Sequence, residues 1–163
     1  MAPFLEAFRG LPVQKMAVGE SVIEQGTTTG RLFILIEGKV EIVKDGKTVA
    51  ASGQPGDIFG DLSALLNVPH TTSVRAVRDS SFHVVTEARP FLEQNPAVCV
   101  HLCELLAQRL VSATCYLANL KQQFAGHDHI GMVDEVLDTL VHRHPRKRIA
   151  PRSSTINITE IPD

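Results

Sequence analysis

The sequence lacks the long apolar runs that mark secreted and membrane-spanning chains. Nowhere do about 18 uncharged apolar residues follow one another, and the N-terminus carries Glu6 and Arg9 where a signal peptide would be apolar. The three cysteines, Cys99, Cys103 and Cys115, are too few and too clustered for a disulfide framework. These absences predict a soluble, cytoplasmic protein with no membrane partner.

The sequence also has little that indicates catalysis or a metal centre. It contains no nucleophile elbow, no Walker loop, no metal-ligand spacing and no pair of catalytic carboxylates. His127, Asp128 and His129 form an isolated cluster at a predicted helix start, where capping is the more ordinary role. We therefore expect no enzyme activity, no catalytic or metal-binding residues and no required cofactor.

Positive charge is scarce in most of the chain. Residues 1–142 contain 11 Lys and Arg against 16 Asp and Glu, whereas residues 143–163 contain 5 against 2. A mildly acidic body is a poor surface for nucleic acid. The basic run at 143–152 could attract phosphate backbones by charge alone, but we interpret it as a solvated linker.

What the sequence does contain, within 163 residues that are 44% hydrophobic, is enough for one core and a small appendage. From residue 13 to 86, short β-branched or aromatic runs alternate with Gly, Pro or Asp, a pattern typical of antiparallel strands. A rolled sheet or barrel fits this pattern better than a doubly wound fold. The predicted strands are Val13–Val18, Ser21–Gln25, Arg31–Glu37, Lys39–Lys44, Lys47–Ala51, Thr71–Val77 and Ser81–Thr86.

After Pro96 the apolar residues follow a helical period and form two stripes. The first has the 4, 3 spacing of a coiled-coil seam: Cys99, Cys103, Leu106, Leu110, Ala113, Leu117, Leu120 and Phe124. A second stripe of Leu102, Leu105 and Arg109 can face the sheet, which leaves the seam for a second copy of the chain. Burial of both stripes within one monomer would need more core than the chain supplies, so we expect a homodimer.

A shorter helix is predicted beyond Gly126, which ends the long one. Asp128 can cap it, and its apolar face contains Met132, Val133, Val136, Leu137, Leu140 and Val141. A strand-like alternation follows at 155–159. We divide the chain into a first domain at 1–125 and a second at 126–163.

The most informative stretch runs from Pro55 to Ala76 and reads PGDIFGDLSALLNVPHTTSVRA. It resembles the phosphate-binding cassette of cyclic-nucleotide-binding domains, the family of the bacterial catabolite activator and the kinase regulatory subunits. The upstream segments GE at 19–20, LFILIEG at 32–38 and KVE at 39–41 match at the family's spacings, so the resemblance covers residues 10–125. It implies a mainly β fold with helices, a jelly-roll-like antiparallel β-roll followed by a long dimerisation helix.

The resemblance also implies a ligand, cAMP or cGMP, and roles for individual residues. Gly60 lets the backbone approach the ligand, and a short helix at 62–66 points free N–H groups at a phosphate. Asp61 accepts a hydrogen bond from the ribose 2'-hydroxyl, and Thr114 on the long helix contacts the base. The candidate binding residues are Phe59, Gly60, Asp61, Leu62, Ser63, His70, Thr71, Thr72 and Thr114.

His70 departs from the family, whose cassette has an arginine there that clamps the cyclic phosphate with two parallel bonds. Loss of one or two charged hydrogen bonds weakens binding by about ten- to a thousandfold. Thr71 and Thr72 can donate from hydroxyl groups but supply no charge, and Arg75 points to the other face of its strand. If His70 meets the phosphate, protonation below about pH 6.5 tightens binding.

Three alternatives remain open. The pocket could be a ligand-free scaffold for protein interaction, it could take another small ligand, or Cys99 and Cys103 with the nearby His101 and His127 could form a redox sensor. Because both cysteines fall on the coiled-coil seam of the predicted long helix, we favour a packing role for them.

Two short segments resemble parts of a transcription regulator's winged-helix domain. Residues 128–140 are similar to its first helix, and residues 155–161 to the strand before its helix-turn-helix. No recognition helix follows, so we expect no sequence-specific DNA binding by these residues.

Overall fold

The computed structural model describes residues 3–124 and 131–142. Within these ranges strands dominate the first half of the chain and helices the second. In chain order the elements are α1 (Pro3–Glu6), β1 (Val13–Met16), β2 (Ser21–Ile23), β3 (Leu32–Lys44), β4 (Lys47–Ser52), β5 (Ile58–Phe59), α2 (Asp61–Leu66), β6 (Ser73–Val85), α3 (Ala88–Gln94), α4 (Pro96–Gln123) and α5 (Gly131–His142).

The strands form a six-stranded sheet in which every pairing is antiparallel. The order along the main path is β1-β6-β3-β4, with β2 paired to β6 and β5 paired to β3. This arrangement confirms the predicted antiparallel β class with helices, and α4 is the predicted long helix. The fold does not show dimerisation through that helix.

The predicted strand break at Gly38 is wrong. Segments 31–37 and 39–44, predicted as separate strands, belong to one strand, β3. Gly38 lies inside it with φ at +112°, and the pairing of β3 with β6 shifts register on both sides of it. A Cβ at this position would collide with Ser80 of β6. The glycine therefore marks a bulge where two strands approach closely, not a turn.

Two further strand predictions need correction. The segments predicted at 71–77 and 81–86 form one strand, β6, which begins at Ser73 and ends at Val85. The two-residue strand β5 was missed, because two residues are too short to show an alternation.

Helices α1 and α3 were not predicted either. Helix α3 ends at Gln94 and is capped by Asn95, whose Nδ2 donates to the carbonyl of Phe91 at 2.8 Å. Pro96 then begins α4, a position that suits proline because a first-turn N–H has no partner in the helix. The helical region therefore starts one short helix earlier than the sequence indicated.

Side chains alternate along β3 and divide the core into two clusters. One cluster fills the interior of the β-roll and is called here the roll core: Met16, Ile23, Phe33, Leu35, Val40, Phe59, Val74, Ala76, Phe82 and Val84. The other lies between the sheet and the helices and is called the helix-side core: Phe8, Leu32, Ile34, Ile58, Val85, Ala88, Leu92, Val98 and Leu102.

The structure divides into two compact units, Met1–Leu106 and Ala107–Asp163. The domain boundary predicted after residue 125 stays a prediction. In the first unit, Leu102 is buried in the helix-side core and Leu105 packs against it, as the second stripe of α4 predicted. Arg109, the third residue of that stripe, is exposed and belongs to the second unit.

Within the second unit, the predicted short helix is present as α5. Lys121 forms an ion pair with Asp134 of α5. On the predicted apolar face Met132 is 75% exposed, while Val133 and Leu137 are partly buried. Gly126, the Asp128 cap and the alternation at 155–159 lie outside the described residues.

Helix α4 is long and apolar enough to cross a membrane by length and composition alone. A single helix of this kind is weak evidence for a membrane span, because a packing helix of a water-soluble protein has the same composition. Glu104 and Arg109 lie within it.

Candidate functional site

The cassette contains a turn, between β5 and α2, that only glycine fits. Gly60 follows β5 and precedes α2, with φ at +88°. A Cβ on it would lie 2.5 Å from the carbonyl oxygen of Arg31. Both the backbone angle and this close approach exclude a side chain. The Gly60 carbonyl accepts the first helical bond, from the N–H of Ala64 at 3.0 Å.

The residues around this turn have different surroundings. Phe59 is buried in the roll core, where its ring meets Phe82 edge-on at 6.4 Å between centroids. Asp61 and Ser63 are buried at 5% and 3% exposure, whereas Leu62 is 43% exposed. Ser63 Oγ donates to the carbonyl of Val68 at 2.6 Å, which closes the end of α2. Ser63 therefore has a structural bond within the cassette, and Leu62 faces outward.

His70 is buried, at 5% exposure, and is held by the loop between β2 and β3. Its Nε2 and Thr29 Oγ1 share a hydrogen bond of 2.9 Å. Its backbone N–H donates to the carbonyl of Thr27, and its carbonyl accepts from the N–H of Gly26, each at 2.8 Å. Burial lowers the pKa of the His70 imidazole, because desolvation disfavours the charged form.

The two threonines that follow His70 are more exposed than His70 itself. Thr71 is exposed and Thr72 is partly exposed. Lys44 Nζ donates to the carbonyl of Thr71 at 3.3 Å. The predicted hydroxyl donors therefore lie beside a lysine that the sequence did not suggest.

Thr114 belongs to the second unit, and its predicted contact with a base stays a prediction. Its Oγ1 donates to the carbonyl of Leu110 at 2.8 Å, a bond to the preceding turn of α4 that a helical threonine commonly makes.

Arg75 lies on the outer face of β6, between the buried Val74 and Ala76. Its guanidinium forms an ion pair with Glu41 at 2.5 Å, and its Nε donates to the same carboxylate at 2.7 Å. The Thr48 hydroxyl and Arg75 lower the pKa of the Glu41 carboxyl. Arg75 is thus engaged on the opposite face from the roll core, as the alternation along the strand indicated.

The cysteines and histidines do not form a metal cluster in residues 3–124 and 131–142, where no group of three or more candidate ligands was found. Cys99 is partly exposed, and Cys103 and Cys115 are exposed free thiols. His127 and His129 lie outside the described residues.

The structure brings the cassette together with residues 26–31, which the sequence marked only as turns. Thr27 and Thr29 of this loop form hydrogen bonds with His70, and the Arg31 carbonyl oxygen lies against Gly60. No local sequence pattern could have identified them, because the bond between Thr29 and His70 joins positions 41 residues apart.

Comparison with known proteins agrees with this arrangement. Residues 13–91 match the family model described as the cyclic nucleotide-binding domain. The catabolite activator protein of Thermus thermophilus superposes with a TM-score of 0.63 at 27% identity, covering 74% of this chain and 61% of that one.

Two curated relatives share shorter segments. The chain is 38% identical over 95 residues to the Pycsar effector protein XpPycTIR of Xanthomonas perforans, which is 56% of this chain and 31% of that protein. It is 37% identical over 70 residues to the cAMP-dependent protein kinase regulatory subunit of Yarrowia lipolytica, 43% and 18% of the respective chains. The matched segment is thus less than a third of either relative.

Fold and cassette together define an antiparallel β-roll domain, and the family match includes both the roll and the cassette. Residues 13–91 therefore form a domain of the cyclic nucleotide-binding domain family.

Proposed function

We propose that this chain is a cytoplasmic, non-enzymatic regulatory domain that binds cAMP or cGMP in the cassette and signals through a dimer of α4. The observation that carries the proposal is the turn at Gly60 and Asp61. There a backbone with no room for a side chain leads into a buried carboxylate at the start of α2. A carboxylate in this place can accept a bond from a ribose hydroxyl, as the family resemblance implies.

Titration calorimetry with cAMP and with cGMP at pH 7 tests the ligand. Wild-type binding that weakens about tenfold or more in Asp61→Asn supports the proposal, because hydrogen bonds to a charged group contribute about 1.5 to 3 kcal/mol. Glu93→Gln is the matched control, since it removes an exposed carboxylate of α3. Heat release that is absent with both nucleotides at millimolar concentration would contradict cyclic nucleotide binding.

The coiled-coil seam predicted from the sequence lies on α4 and its end, is called here the α4 seam, and supports the dimer by its exposure. Leu110 is 45% exposed and Phe124 is 52% exposed, and Cys103 and Ala113 are exposed as well. A seam with coiled-coil spacing buries such side chains when two helices pair. The occupant we propose is a second copy of this chain.

A ligand-independent scaffold is the second candidate, and the burial of His70 favours it. The His70 ring is hydrogen-bonded to Thr29, and burial lowers its pKa, so the ring carries no positive charge at neutral pH. The cassette therefore lacks a charged group at this position. His70→Arg separates the two functions. If the wild type binds neither nucleotide and the variant binds cAMP or cGMP, the natural domain acts as a scaffold with an intact cassette.

The predicted lack of sequence-specific DNA binding also remains a proposal, because residues 143–163 lie outside the described residues.

A further inference from the structure

Arg31 is an arginine whose backbone lies against the Gly60 turn of the cassette. Its carbonyl oxygen is the atom that a Cβ on Gly60 would meet at 2.5 Å. Its N–H donates to Thr29 Oγ1 at 3.3 Å, the hydroxyl that also holds His70. The main chain at Arg31 is therefore fixed against both the glycine turn and the histidine.

Arg31 immediately precedes β3, which begins at Leu32. Leu32 and Ile34 point into the helix-side core, whereas Phe33 and Leu35 point into the roll core. Successive side chains of a strand point to opposite faces, so the alternation of β3 extended back by one residue puts position 31 on the side of Phe33. Phe33 is directly paired with Phe59, the residue before Gly60. Position 31 is therefore next to the end of β3 that pairs with β5.

The guanidinium of Arg31 is exposed and forms no ion pair with any of the described residues. Arg75, by contrast, is engaged by the carboxylate of Glu41. An exposed, unpaired guanidinium keeps its full capacity for two parallel bonds to a phosphate. The buried His70 ring, which is bonded to Thr29, has no such capacity.

We infer that Arg31 binds the anionic phosphodiester of the ligand, in the role that the family assigns to an arginine at position 70. His70 then acts as a positioning residue, whose bond to Thr29 fixes the loop from which Arg31 extends. This inference rests on the proposed function and adds the residue that supplies the positive charge.

Two other cations contact the cassette: Lys44 Nζ donates to the carbonyl of Thr71, and Arg89 Nη2 donates to the carbonyl of Leu65. Each of these groups is thus already bonded to a backbone oxygen. An ammonium group also gives no paired, planar donors to a phosphate. The observations therefore favour Arg31.

Calorimetric titration with cAMP and with cGMP tests the inference in the full chain. Arg31→Gln is expected to weaken binding about ten- to a hundredfold, as loss of charged hydrogen bonds does. Arg31→Lys is expected to recover part of that loss, because it keeps the charge without the paired donors. Arg78→Gln, which removes an exposed arginine of β6, is the matched control and should change affinity less than about twofold.

Each outcome has a definite meaning. A wild type that binds, with Arg31→Gln equal to Arg78→Gln, overturns the role of Arg31 and leaves the proposed function standing. A loss in Lys44→Gln without a loss in Arg31→Gln assigns the charge to Lys44 and also overturns it. A wild type that binds neither nucleotide overturns both proposals. Circular dichroism checks that Arg31→Gln is folded, which its exposed side chain favours.

Discussion

The imidazole of His70 and the hydroxyl of Thr29 share a hydrogen bond of 2.9 Å across 41 residues of sequence. This bond joins the end of the cassette to the loop between β2 and β3, and it accounts for the burial of a histidine where the family has an arginine. The surroundings of His70 therefore depend on Thr29, a residue that lies outside the cassette.

Removal of the Thr29 hydroxyl is expected to destabilise the domain. Thr29→Val leaves a buried ring nitrogen without its partner, which costs about 1 to 3 kcal/mol of unfolding free energy. Urea denaturation measures this loss. Thr28→Val is the control, because Thr28 is an exposed neighbour with no side-chain bond among the described residues. Equal stabilities of the two variants would show that the bond contributes nothing.

The lowered pKa of His70 predicts a dependence of stability on pH with a definite sign. The folded state disfavours the charged ring, so the unfolded state binds more protons once the pH falls below the ordinary value of 6.5. The contribution of His70 is complete above that value and is lost as the pH falls through the lowered, folded-state pKa. Unfolding free energies measured from pH 7.5 to 5 should fall more steeply for wild type than for His70→Gln. Parallel slopes would contradict this.

The same shift changes the expectation for binding. The sequence suggested that protonation below about pH 6.5 tightens binding through His70. With the pKa lowered by burial, any such gain is expected only at more acid pH. Affinity that stays flat from pH 8 to 6 would agree with this.

The turn at Gly60 allows a test with a closely matched control. Gly60→Ala places a Cβ against the Arg31 carbonyl at a positive φ, while Gly19, with φ at +87°, has nothing within 4 Å of its Cβ position. Both variants incur the backbone strain of about 1 to 2 kcal/mol. Only Gly60→Ala adds the collision, so its midpoint in urea should be distinctly lower than that of Gly19→Ala.

The carboxyl of Glu41 should titrate below its ordinary value of 4.5. The Thr48 hydroxyl donates to Glu41 Oε2 and is the largest single cause, while Arg75 lowers the pKa of Glu41 both by a hydrogen bond and by its charge. Carbon NMR titration of Thr48→Val should therefore show a Glu41 pKa that moves up toward the ordinary value. A rise is also expected in Arg75→Gln, which removes the charge and the hydrogen bond together. A Glu41 pKa that is unchanged in both variants would contradict this account.

The dimer proposal is tested by a charge on the α4 seam. Leu110→Glu buries carboxylates between two paired helices, which is strongly unfavourable, whereas Ser112→Glu adds the same charge at an exposed position off the seam. Light scattering at micromolar concentration should report dimers for wild type and Ser112→Glu and monomers for Leu110→Glu. A monomeric wild type would contradict the proposal directly.

Most strands and the long helix could be predicted from local patterns, because strand alternation and helical spacing depend only on residues close together in the sequence. The turn at Gly60 was expected from the resemblance of its segment to the family's cassette. Gly38 was misread, because the same residue type serves a turn and a bulge, and only the close approach of Ser80 distinguishes them. The setting of His70 could not be predicted, since it depends on Thr29 in a distant loop.

Two strands of the sheet take part in all of its pairings. β3 and β6 pair with each other over most of their length, and each of the other described strands pairs with one of these two. Their paired residues are far apart in sequence, as Val43 with Ser73 and Leu32 with Val85, so a long loop must close before β3 and β6 can pair. The hairpin of β3 and β4, by contrast, needs only the turn between Lys44 and Lys47. Joining of β3 and β6 is therefore expected to be the slow event, on the millisecond-to-second scale of sheets with distant contacts, and β1 and β2 add to β6 only afterwards. Pulse-labelled hydrogen exchange in which the amides of β2 gain protection before those of β6 would contradict this order.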